Sequence, residues 1–211
     1  MNFIPTIIAI GFVALAPNKL TAQGYIYDQQ SSANPASVAG GFVIQAGSPA
    51  GQSFTPNLSG IGFVQFAFVD ANSGNGIGAT VYVNLHSTGI GGPILATTSP
   101  VFMPDTFGQI TSNYGENTFF FDSTVLLQSG TTYYLEVVVQ SGDPWFIRGN
   151  EFAYSGGTTF QTGLAQPYDL YFREGIVPEP SVCTLVFLGA TALWWLQRGR
   201  ERKGTSPLTV P

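Results

Sequence analysis

Residues 78–87 read GATVYVNLHS, and residues 131–140 read TTYYLEVVVQ. In the first stretch Val81, Val83 and Leu85 alternate with Thr80, Tyr82 and Asn84. In the second, Tyr133, Leu135, Val137 and Val139 alternate with Tyr134, Glu136, Val138 and Gln140. Successive side chains of an extended chain point to opposite faces, so a period of two predicts strands with one face turned to a core. Both stretches are rich in β-branched and aromatic residues, which fit a pleated, half-buried surface.

The same signal extends outward. Residues 61–70, IGFVQFAFVD, are apolar on both faces and predict a strand with material packed on each side. Further strands are expected in 51–56 (GQSFTP), 117–127 (NTFFFDSTVLL), 143–150 (DPWFIRGN) and 168–174 (YDLYFRE). Runs rich in Gly and Ser at 71–79, 87–93 and 154–163 read as loops. No window between 24 and 175 keeps a helical period, and no internal repeat is evident. Seven or eight strands in 24–175 predict an all-β, two-sheet antiparallel sandwich, most simply a jelly roll. Fourteen of the 17 Phe and all nine Tyr lie in this span and can supply its core.

Composition narrows the function. At 211 residues there is room for one domain and short end segments. A hydrophobic content of 44% excludes a disordered chain. Seven Lys and Arg against twelve Asp and Glu provide no basic footprint for nucleic acid. The single cysteine, Cys183, excludes a disulfide framework, a cysteine zinc site and a redox pair. It lies in an apolar stretch and reads as a small hydrophobe. Between 24 and 175 stand ten acids, Arg148, Arg173 and no lysine, a net of −8. Four of the seven basic residues cluster at Arg198, Arg200, Arg202 and Lys203.

The ends read as addresses. Residues 1–22 carry an apolar run from Phe3 to Ala16 and then small residues, the pattern of a secretory signal peptide cleaved after Ala22. Near the other end, Pro178, Glu179 and Pro180 precede sixteen uncharged residues, 181–196. As a helix these span about 24 Å, against about 30 Å of hydrocarbon. Bilayer thinning and snorkelling of Arg198 and Arg200 can close the gap. Trp194 and Trp195 sit where an interfacial aromatic belt would lie, and the basic cluster keeps that end cytoplasmic. A transmembrane helix with everything before Pro178 outside is expected.

Residues 177–203 resemble the PEP-CTERM protein-sorting signal of Gram-negative bacteria: a Pro-Glu-Pro triplet, a short apolar helix and an arginine-rich end near the terminus. The resemblance implies export and processing by an exosortase-type enzyme, a membrane-embedded cysteine transpeptidase, with Pro178, Glu179 and Pro180 as its recognition element. It also implies a setting in the cell envelope or an extracellular polysaccharide or biofilm matrix. Eight residues, 204–211, form a tail beyond the basic cluster. The body, from QSFTP to DLYFRE, loosely resembles the jelly-roll ectodomains found upstream of this signal, a likeness that brings no catalytic residues.

Four groups in the body carry side chains suited to chemistry. His86, the only histidine, could pair with Ser87 or Ser53, but neither a Gly-x-Ser-x-Gly elbow nor a His-Glu-x-x-His pattern is present. At a strand end on the polar face it reads as a surface or loop histidine. Glu136 could join one of many carboxylate pairs of the glycosidase kind, or face solvent on the outer sheet. Asp70, Asn72 and Asn75 outline an oxygen-ligand loop, but the twelfth position is Val81 where an EF-hand needs Glu, so an Asn/Gly turn is expected. Trp145, Arg148 and Tyr154 either present an aromatic and cationic face to a carbohydrate or cap the core, with Arg148 pairing to Asp169 or Glu151. The expectation is a non-enzymatic, exported cell-envelope or matrix protein needing no cofactor. A carbohydrate-binding module is the alternative, and a glycan-active hydrolase a weaker one.

Overall fold

The structure, a computed structural model, describes residues 24–109 and 114–178, and Thr191 besides. In chain order its strands are β1 (Ile26–Gln30), β2 (Val38–Val43), β3 (Gly51–Phe54), β4 (Gly60–Asp70), β5 (Ala79–His86), β6 (Ile94–Thr97), β7 (Val101–Met103), β8 (Glu116–Leu126), β9 (Tyr133–Gly142), β10 (Trp145–Asn150), β11 (Thr159–Gln161), β12 (Leu164–Ala165) and β13 (Phe172–Ile176). They form two antiparallel sheets. The first has the order β1-β13-β4-β10-β2, with β8 on the other side of β4. The second runs β12-β11-β3-β9-β5-β6, with β7 also on β5.

Strand β4 is the axis of the first sheet. Its length lets β13 pair with Phe63–Phe66 and β10 with Phe68–Asp70 on one edge, while β8 covers the other. As its two-sided apolar sequence predicts, it is buried on both faces. Val64, Phe66 and Phe68 point into the core with Phe119 and Phe172. Phe63, Gln65 and Ala67 lie on the opposite face and are buried as well. Each buried Phe contributes on the order of 1.5–3 kcal/mol. In the second sheet the alternation read from β5 and β9 is realised: Val81, Val83, Leu85, Leu135 and Val137 enter the common core.

One buried polar bridge ties the sheets together. Gln52 of β3 donates through Nε2 to Asp169 Oδ1 at 2.8 Å, and its Oε1 accepts from Thr159 Oγ1 at 3.0 Å and from the Leu170 backbone N at 2.9 Å. Asp169 Oδ2 accepts from the Tyr154 backbone N at 2.8 Å.

The strands outnumber the seven or eight expected, for local reasons. In β2, Gly40 and Gly41 look like a breaker, yet they form a bulge with φ of +54° and +124°. A Cβ on Gly41 would stand 2.0 Å from the Ile147 carbonyl oxygen, so only glycine lets β2 approach β10. Strands β6 and β7 share one edge of β5 and are separated at Thr98. There the Thr98 backbone N donates to Val83 O and its hydroxyl accepts from Val83 N, continuing the ladder with a side chain. The stretch 154–163, read as a loop, contains β11, which docks on Gly51 and Gln52. The last strand closes at Ile176, one residue beyond the predicted domain edge.

No helix among the described residues is long and apolar enough to cross a membrane. The signal segment 1–22, Glu179, Pro180, Cys183, Trp194, Trp195, Arg198, Arg200, Arg202 and Lys203 lie outside the described residues.

Candidate functional site

The chain enters and leaves the described body at one end of the first sheet. Strands β1 and β13 are antiparallel, and Ile26 pairs with Ile176. Both flanking segments therefore depart side by side, and Pro178 follows two residues after the last ladder pair. Gly175 makes this closure possible. It stands between Tyr27 and Phe63 in cross-strand register, and a Cβ there would lie 1.9 Å from Ile26 O. With no side chain in the way, the Tyr27 ring reaches Phe63 at 5.5 Å, two strands away, and Tyr25 stacks on Phe63 at 4.5 Å.

The same face holds the body's only arginine–carboxylate pair among the described residues. Arg173 lies with its guanidinium carbon 3.6 Å over the Tyr27 ring, donates to Gln30 Oε1 at 3.2 Å, and has Nη1 3.8 Å from Glu116 Oε2. Tyr171, fully buried, donates its hydroxyl to that carboxylate. Burial first, and then the Glu116 charge, push the Tyr171 phenol above its ordinary range, against an opposing effect of Arg173. Sequence reading missed this group; its one legible signal was Arg173, one of only two cations in an acidic body.

Trp145, Arg148 and Tyr154 do not share a surface. Trp145 is fully buried in the core, its ring 5.9 Å from Phe107 and its indole N–H without a partner among the described residues. Of the two readings of Trp145 the structure realises core packing and not an open carbohydrate-facing ring, because an aromatic face must be open to stack on a sugar. Arg148 alternates to the face opposite Trp145 and Ile147, where burial lowers its pKa. The expected pairing with Asp169 or Glu151 is not made: Asp169 is engaged by Gln52 and Tyr154, and Arg148 Nε has no partner among the described residues. Tyr154 packs edge-on against Phe172 at 5.0 Å, donates to Gln29 Oε1 at 2.9 Å, and has a phenol pushed up to about 12, chiefly by burial.

His86 is 3% exposed, which corrects its reading as a surface histidine. The 87–93 turn folds back over the strand end and brings Gly92 O to 2.7 Å from Nδ1. A carbonyl only accepts, so Nδ1 carries a hydrogen. Nε2 lies 3.1 Å from Glu136 Oε2, a contact that requires a proton between them. Glu136 also accepts from Asn84 Nδ2 at 2.9 Å, and Asn84 Oδ1 accepts from Thr97 at 2.8 Å. Glu136 thus faces partners on β5 rather than solvent, and both ring nitrogens of His86 are occupied. Ser53 exchanges hydrogen bonds with the Thr158 backbone and not with His86.

In the 70–78 loop the carboxylates clasp backbone amides. Asp70 accepts from Asn72 N and Thr106 N, and Asn75 Oδ1 accepts from Ile77 N. Asp105 accepts from Gly74 N at 2.7 Å and Gly76 N at 2.8 Å, and these amides hold its carboxyl below the usual range. Asp70 and Asn75 therefore spend their oxygens on turn formation, and Asn72 enters it through its backbone N. Among the described residues no group of three or more His, Cys, Asp or Glu side chains is placed to hold a metal.

No protein-family model matches the chain and no curated protein matches it in sequence, so the functional reading stands on the geometry where the chain enters and leaves the sandwich.

Proposed function

We propose that the chain is an exported, non-enzymatic cell-envelope or extracellular-matrix protein. Its β-sandwich is displayed outside the cytoplasmic membrane, and its C-terminal segment acts as a PEP-CTERM-type sorting signal and membrane tether read by an exosortase-type enzyme. The observation that supports this best is the pairing of Ile26 with Ile176. A body delivered through its N-terminal segment and held through its C-terminal one is attached at a single end, with the opposite loops free. A lysine-free body of net −8 suits passive exposure. We read the sandwich as a jelly roll, because the crossings β4 to β5 and β8 to β9 pass between sheets side by side.

Mass spectrometry of the mature protein tests the reading. The expected N-terminus is Gln23, with the C-terminus shortened near Pro178–Pro180 in processed molecules. A mature chain that retains Met1 would overturn export. An exported chain that keeps 197–211 intact would overturn exosortase processing and leave a plain anchor.

A further inference from the structure

Around the end of β13, four apolar side chains remain in solvent: Tyr25 at 40% exposure, Ile26 at 46%, Phe120 at 42% and Leu126 at 84%. Pairing places them at the same end of the sheet, with Ile26 on the face opposite to Tyr25 and Phe120. Ile26 faces Ile176, Phe120 faces Phe63, Leu126 faces Gly60, and the Tyr25 ring lies 4.5 Å from Phe63 and 6.1 Å from Phe120. Exposed apolar residues scattered singly need no explanation, but several gathered at one end of a sheet form a surface suited to contact. The nearest cation, Arg173, is already engaged by Tyr27, Gln30 and Glu116.

We propose that this apolar end of the sheet is a membrane-contact surface that rests in the interfacial layer of the bilayer. The inference builds on the tether reading above. What places a lipid surface here is the chain that leaves: from Ile176 to Ser181 is five residues, at most about 17 Å when extended. The sixteen uncharged residues 181–196 begin there. A tail in the hydrocarbon therefore holds Tyr25, Ile26, Phe120 and Leu126 within reach of the headgroups, where tyrosine rings are favoured. The contact is apolar and not electrostatic, because a lysine-free body of net −8 gains nothing from anionic lipid. Strand β4 sets the opposite limit. Its eleven residues span roughly 33 Å. The 71–78 loop, with exposed Ile77, is thereby held far from the surface.

Site-directed spin labelling of the full chain in phosphatidylcholine vesicles tests this. In a Cys183→Ser background, single cysteines replace Leu126, Ile77 or Leu188, and each label is challenged with dissolved oxygen and with an aqueous nickel chelate. The label at Leu126 is expected to lose nickel access and gain oxygen access relative to Ile77, and Phe120→Ser is expected to reduce that difference. Equal nickel access at Leu126 and Ile77 would overturn the contact, even with Leu188 buried in lipid and the tether intact. Loss of both nickel and oxygen access at Leu126 would also overturn it, showing a second copy or the chain's own tail on this face. Nickel access at Leu188 would instead sink the tether reading itself.

Discussion

Raising the pH from about 5 to about 9 is expected to weaken the fold progressively through one side chain, and Glu174→Gln is expected to remove that loss. Glu174 sits on β13 opposite Val64 and is fully buried. Its Oε1 accepts from the Gln29 backbone N at 3.1 Å, while Oε2 has no partner among the described residues. Burial, reinforced by the Asp28 charge and opposed by the Gln29 amide, pushes its pKa up to about 9. Tyr154 is the other titratable group facing it, and that phenol is itself raised. The native chain therefore keeps a proton that the unfolded chain releases above the ordinary value of 4.5. Stability from this group is complete below that value, falls as pH rises, and is lost above the native pKa. The slope is at most about 1.4 kcal/mol per pH unit, enough across the window to consume much of a typical fold's stability. Glutamine keeps an acceptor for Gln29 N and cannot ionise. Urea midpoints of both proteins across this range give the answer: the variant should gain on the wild type steadily with pH. Parallel curves would contradict a neutral Glu174 in the native core.

Gln52→Leu is expected to be the most damaging volume-conserving change in the core. Leucine fits the space but leaves the Leu170 N–H, the Thr159 hydroxyl and Asp169 Oδ1 without their partner. A buried polar group stripped of its bond costs about 1–3 kcal/mol, and more when charged, so the total approaches a typical stability. The loss should appear as a much lower thermal midpoint or failure to accumulate folded protein. A shift of no more than about 1 kcal/mol would show that the bridge does little to hold the sheets together.

Much of the architecture could be read in advance because its main strands obey a period of two. GATVYVNLHS and TTYYLEVVVQ became neighbours β5 and β9, and IGFVQFAFVD became the two-sided centre of the first sheet. What stayed hidden depended on partners distant in sequence. Gly40 and Gly41 look like a turn until β10 is placed against them. His86 looks like a polar strand end until Gly92 folds back and Glu136 arrives from β9. Arg173 gave a hint by its rarity, but nothing local announced that Tyr27, Glu116 and Tyr171 would gather around it. Trp145 illustrates the converse: its bulk and apolarity favoured the core, and the core is where it lies.

The central claim is that the sandwich stands outside the cytoplasmic membrane on a tail embedded in it. Ile77 is exposed in the loop after β4, at the end of the strand away from the partner of Gly175, and suits a reporter. In a Cys183→Ser, Ile77→Cys chain, a membrane-impermeant maleimide applied to spheroplasts should label the protein without lysis, with molecules that keep the tail in the membrane fraction. Labelling that requires lysis would place the body in the cytoplasm and contradict the account.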